Sequence, residues 1–216
     1  SHNITVDDVS ITGGTFTANS STITVTGDWT VSDADHYFIE NTSTVNFTGS
    51  GTIDVGASTW RNNFYNLQVG ASGQVTTLGS NVEATNTITF NGGTVTGAHT
   101  LEIAGTNTNP LNIAGGTVMS FSILNFAQTN GVRTVTVPSY AGYPQVDFSD
   151  GPDVTFQAAT GGFTASEVVM RRGTFDQNGQ PVTLGTLSAA SSSAGAVFNY
   201  ITNGGALTVT GNVSVG

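Results

Sequence analysis

Thr22-Ile23-Thr24-Val25, a turn at Gly27, then Thr30-Val31: this phrase decides how the chain is read. It returns as Thr44-Val45-Asn46-Phe47, Gly49 and Thr52-Ile53, and again as Leu207-Thr208-Val209-Thr210-Gly211 with Ser214-Val215. Within each phrase two apolar residues flank one polar residue. Ile23/Val25, Val45/Phe47, Leu67/Val69, Ile88/Phe90 and Leu111/Ile113 are such pairs, around Thr24, Asn46, Gln68, Thr89 and Asn112. That is the two-residue alternation of a strand with one buried face.

Working outward, three apolar series share a period of about 22 residues, the sign of a coiled repeat. The first runs Ile4, Val25, Phe47, Val69, Phe90, Ile113, Val135, Phe156. The second runs Val9, Val31, Ile53, Val75, Val95, Val118, Ala141, Phe163. The third runs Phe16, Phe38, Trp60, Val82, Ile103, Leu124, Val146, Val168. Three series predict three short strands per coil and an all-β fold. The predicted architecture is a single parallel β-helix (β-solenoid) of about nine to ten coils over residues 1–216. A coil cannot stand alone, because ordering its backbone costs roughly 1–2 kcal/mol per residue while its few inward side chains return about 2 kcal/mol each. Stacking on neighbours must supply the rest.

Turn residues support this reading. Asn41 and Asn63 stand one period apart, with Asn86, Asn107 and Asn130 near register, which fits either a stacked asparagine ladder or ordinary turn asparagines. Gly27, Gly49, Gly70, Gly92 and Gly115 recur similarly, which suggests turns that need positive φ. The rhythm breaks after Phe156, whose next match in the first series is Leu187, followed by Val209. The spacing predicts an insertion within 157–186, in the stretch Gly161–Pro181 that holds Arg171, Arg172 and Asp176. Insertions in solenoids form loops on one face, with or without a binding role. Neither end carries a polar cap, so the chain is expected to continue into further repeats or to associate end to end.

The 216 residues include no cysteine and no lysine, and the four cations are Arg61, Arg133, Arg171 and Arg172. A net charge of −10 argues against nucleic acid and anionic membranes as partners. No apolar stretch approaches the roughly 18 residues of a membrane span. The acidic, lysine-free composition, rich in Thr, Ser, Asn and Gly, resembles that of secreted bacterial or archaeal surface proteins, and by that association an extracellular or cell-surface place is expected.

Candidate chemistry is sparse. Asp147, Asp150 and Asp153 share one turn and offer oxygens to Ca²⁺, with solvated turn acids as the alternative. Asp33, Asp35 and Glu40 form a second acidic loop outside any defined calcium motif. His2, His36 and His99 lack zinc-ligand spacing. No other cofactor is implied. Arg61 and Glu83 are expected side by side on adjacent coils, leaving no second acid across the coils for a catalytic cleft. Trp29, Trp60, Tyr65 and Tyr140 could stack sugars where exposed, although Trp60 reads as inward. Asn3, Asn19, Asn41, Asn46 and Asn212 begin Asn-x-Ser/Thr sequons, several of which chance would supply.

Phrases such as Ser43-Thr-Val-Asn-Phe-Thr-Gly-Ser-Gly-Thr-Ile-Asp-Val55 and Phe64-Tyr-Asn-Leu67 resemble the repeats of right-handed parallel β-helix proteins. The likeness is to the pectin-lyase-like and filamentous-haemagglutinin-like segments of prokaryotic surface proteins. It implies right-handed coils and a place outside the cell. Its adhesin members imply a non-enzymatic structural role in an adhesin, surface layer or self-assembling fibre, with surface glycans as partners. Its enzymatic members imply the alternative, binding or cleavage of polysaccharide by carboxylates converging from adjacent coils.

Overall fold

Alternating Thr and Val or Ile fit a pleated surface buried on one side, and the chain uses them as strands throughout. The computed structural model describes residues 2–32, 37–56, 62–128, 131–149, 153–190 and 198–215. Among these the chain is all-β, without helix. Its parallel strands stack into a β-solenoid of about nine turns at a spacing of about 22 residues. Internal contacts delimit two compact units, Ser1–Glu102 with Asn112–Ser122, and Ile103–Leu111 with Ile123–Gly216.

In the first unit, the strands Ile4–Val6, Thr22–Val25, Thr44–Phe47, Phe64–Val69 and Val82–Phe90 form one parallel ladder. A second ladder joins Val9–Ile11, Trp29–Val31, Gly51–Asp54, Val75–Leu78 and Gly93–Gly105. A third side pairs Thr15–Thr17 with Tyr37–Ile39, where Phe16 meets Phe38 as its series requires. The inward pairs are buried: Ile23, Val25, Val45, Phe47, Leu67, Val69, Ile88 and Phe90 are at most 1% exposed. The polar residues between them, Thr24, Asn46, Gln68 and Thr89, are only partly covered. Trp29 fills the centre, wholly buried, with Phe38, Phe64 and Phe47 at ring distances of 4.8, 5.4 and 6.3 Å.

In the second unit, Arg133–Val137, Val154–Ala158, Gly173–Asp176 and Phe198–Ile201 make a four-stranded parallel sheet. Tyr140–Phe148, Phe163–Met170 and Val182–Ala189 form the main ladder, which continues to Leu207–Val209 and Val213–Val215. Leu124, Val146 and Val168 stack as their series predicts. Phe148 is the aromatic hub of this unit, with Phe156 at 4.4 Å, Phe175 at 5.3 Å and Phe126 at 5.5 Å.

Several register expectations are corrected. The second series assumes that Val9 meets Val31 and that Ile53 meets Val75. Instead Val9 pairs with Trp29, Trp29 with Ile53, and Ile53 with Leu78. Leu187 pairs with Val213 rather than Val209. The insertion expected within 157–186 is a shortening. Phe156 pairs with Phe175 and Val168 with Leu187, in a coil that brings Gln157 to Asp176 at a separation of 19 residues. The longer interval comes later, where Phe175 pairs with Tyr200. Three of the five recurrent glycines also depart from expectation: Gly70 and Gly92 have positive φ, but Gly27, Gly49 and Gly115 do not. At Gly49 the requirement is room. A β-carbon there would collide with the Thr26 carbonyl of the coil below.

Candidate functional site

Acidic side chains in this fold are mostly spent on joining coils. The Asp8 carboxylate accepts the Asp28 amide at 2.7 Å, and the Asp28 carboxylate accepts the Thr52 amide at 2.7 Å. The first satisfies an amide just before the strand Trp29–Val31, and the second an amide near the start of the strand Gly51–Asp54. Asp176 does the same in the second unit, accepting from the Asn178 amide, the Asn203 side chain and the Gln157 side chain.

Of the calcium candidates, Asp147 is buried. Arg171 donates to its Oδ2 through Nε at 3.1 Å and Nη2 at 2.7 Å, and Gln145 donates to its Oδ1 at 2.7 Å. This charge-assisted fork neutralises the carboxylate in place. Asp153 is exposed, and Asp150 lies outside the described residues. The described residues contain no group of three or more His, Cys, Asp or Glu placed to hold a metal ion. Asp33, Asp35, His36, Trp60 and Arg61 also lie outside the described residues, and with them the expected Arg61–Glu83 pair. Of the aromatic candidates, Trp29 is core, while Tyr65 and Tyr140 are half-exposed.

Two groupings were missed by the sequence reading, which found no acids converging across coils. The first is on the main ladder of the second unit. Gln145 pairs with Glu167, so Asp147 and Glu167 lie on adjacent coils of one sheet. Ser188 donates to Glu167 at 3.1 Å and lies 3.0 Å from Ser214 on the following coil. The second gathers Glu40, Glu83 and Glu102 in the first unit. Burial, then the neighbouring Glu102 and Glu40 charges, push Glu83 up from 4.5 to about 7, although Asn63 donates to its carboxylate at 2.9 Å. Sequence spacing does hold a signal: Val82 pointing inward turns Glu83 outward. The signal was lost because Glu83 was assigned to Arg61.

Glu83 therefore binds its proton more tightly in the folded chain than in the unfolded one. Its contribution to stability is full below the unfolded value of 4.5 and is lost as pH rises through about 7. Glu83→Gln should raise stability at pH 8 by about 1–2 kcal/mol, allowing for screening of a half-exposed carboxylate, and change little at pH 4. Urea titrations of both proteins at the two pH values check this. An equal effect at both would mean that charge is not its cause.

A third feature is a shallow cleft of about 200 Å³ in the second unit, formed where three successive coils enter the main ladder. Ser139 and Tyr140 come from the first of these coils, Gly161, Gly162 and Thr164 from the next, and Pro181 and Thr183 from the third. The Tyr140 ring meets Tyr143 edge to face at 5.0 Å, and Tyr143 is itself anchored by its hydroxyl, which donates to the Pro138 carbonyl at 3.0 Å. Compared with protein-family models, curated proteins and solved structures, the chain matches none.

Proposed function

We propose that the chain is a non-enzymatic structural segment of an extracellular assembly: an adhesin, a surface layer or a fibre. One observation carries this reading, namely the bonding of outward side chains from coil to coil. Asn66 donates to Thr44 at 3.3 Å, and Asn86 and Thr87 both donate to Asn66, at 2.7 and 2.8 Å. Amides and hydroxyls that a binding face would present to a ligand here tie three coils together. The outermost strands support the same reading. Val213 and Val215 are 62% and 75% exposed on a strand that pairs with Val182–Ala189. Such an edge suits the addition of a further parallel strand. The partner by this reading is another coil of the same kind, from this chain's continuation or from another copy.

Sedimentation velocity and negative-stain microscopy of residues 1–216 at rising concentration should reveal linear assembly, abolished by the double substitution Val213→Lys, Val215→Lys. A protein that remains monomeric, and gains no thermal stability when further native coils are appended, would overturn the reading.

The placement of Asp147 and Glu167 on adjacent coils favours one second reading, a polysaccharide-acting face. Release of new reducing ends from a polysaccharide, lost in Glu167→Gln, would establish it.

A further inference from the structure

We propose that the cleft beside Tyr140 is a binding site for one neutral sugar ring of a glycan chain. Its chemistry argues for the ligand class. Its lining carries two aromatic residues, Tyr140 and Phe163, a proline and three aliphatic hydroxyl side chains, Ser139, Thr164 and Thr183, with no charged residue. An uncharged lining on a chain of net charge −10 gives no purchase to phosphate or carboxylate. A sugar ring presents what this lining matches, C–H groups on its faces and hydroxyls around its edge. Sites of this kind pair an aromatic platform with a few placed polar groups.

The geometry is preformed. Thr164 and Thr183 are direct partners across neighbouring strands, so their hydroxyls repeat at the interstrand spacing of about 4.8 Å. Tyr140 packs edge to face on Tyr143, and the missing side chain at Gly142 leaves its ring uncrowded, since an added β-carbon there would lie 3.4–3.6 Å from it. Gly161 keeps the floor open, since a β-carbon there would reach within 2.7 Å of the Ser139 hydroxyl. The volume sets the size. At about 200 Å³ the cleft is smaller than the roughly 300–1,000 Å³ of sites that enclose drug-sized ligands. It therefore takes one ring, and the rest of the glycan runs over the surface of the coils.

The inference is independent of assembly, because the cleft is lined within one chain and by none of Val213–Val215. The test is backbone-amide NMR of the whole chain carrying the assembly-blocking substitutions at Val213 and Val215. It is titrated with neutral hexasaccharides of glucose, mannose, galactose and N-acetylglucosamine, and with oligogalacturonate as the anionic comparison. At least one neutral sugar should shift the amides of residues 139–141, 161–164 and 181–183 with a dissociation constant of millimolar order, and oligogalacturonate should leave them unmoved. Tyr140→Ala should weaken that binding roughly tenfold, as loss of a stacking platform does. Should Tyr140→Ala fold poorly, Thr183→Val provides the second variant, with a loss of roughly threefold to tenfold expected from one hydroxyl. The proposal is overturned if no neutral sugar shifts these amides up to about 10 mM, a concentration that corresponds to negligible affinity. It is overturned equally by shifts that fall elsewhere, or by binding that survives both substitutions unchanged.

Discussion

Trp29→Ala should destabilise the chain by about 3–5 kcal/mol, the range for truncating a buried large aromatic. For a chain of this size that lowers the melting temperature by roughly 6–20 °C. Trp29 has no exposed surface and meets three phenylalanines, one of them, Phe38, edge-on at 4.8 Å. Removing the indole leaves a cavity that those rings, held by their own strands, fill only in part. The chemistry of the loss can be isolated. Trp29 Nε1 is buried without a hydrogen-bond partner among the described residues. Trp29→Phe therefore gives up volume but no hydrogen bond, and should cost less than half as much as the alanine variant. Thr89→Ala, on the outward face of the ladder, should cost less than about 0.5 kcal/mol. Thermal and urea melts of the three variants rank them. Equal losses from Trp29→Ala and Thr89→Ala would mean that the inward and outward faces are wrongly assigned.

The second large effect is expected from a single methyl group. Gly49→Ala places a β-carbon against the backbone carbonyl of Thr26, one coil below. Thr48 donates its amide to the Val25 carbonyl at 2.9 Å at this same crossing, so the strands cannot part without losing inter-coil bonds. Backbone offers none of the give of a flexible side chain. The loss should be on the order of 2–4 kcal/mol, comparable to overpacking a core together with a broken buried hydrogen bond. Gly14 is the contrast. Nothing lies within 4 Å of its virtual β-carbon, and it has φ +72°. Gly14→Asn should be nearly neutral, since Asn tolerates that conformation. If Gly49→Ala melted with the native protein, the close approach of these two coils would be refuted.

The faces of the strands were legible in the sequence; their partners were less so. Where one series advanced through residues of one kind, as in Phe16 to Phe38 or Leu124 to Val146 to Val168, pairing follows the period. It fails where two inward residues sit two positions apart. Trp29 and Val31 both point into the core, so a slip of two residues keeps every side chain on its correct face and leaves no mark on the pattern. Ile4 similarly pairs with Ile23 rather than Val25. Phe175 was overlooked for another reason. A uniform period of about 22 steps past it, whereas the coil that ends on it is short. The polar groupings suffered from the same slips. Arg171 reaches Asp147 across a separation of 24 residues, and Glu83 gathers charges from Glu40 and Glu102. Each depends on coil lengths that only the loops decide.

Within each unit, strands bond to strands about one coil away along the chain, which sets the topology of folding. Closing a loop of about 22 residues costs roughly 3 kcal/mol of chain entropy, and the next coil costs about the same whether it is the second or the fifth. Order can then spread from any two coils that meet first, without a distant segment having to return. Damage should be equally local. An amide beside a lesion such as Gly49→Ala should exchange its hydrogen early, while amides several coils away keep their protection. Selection on such a chain can lengthen, shorten or replace one coil with little regard for the others.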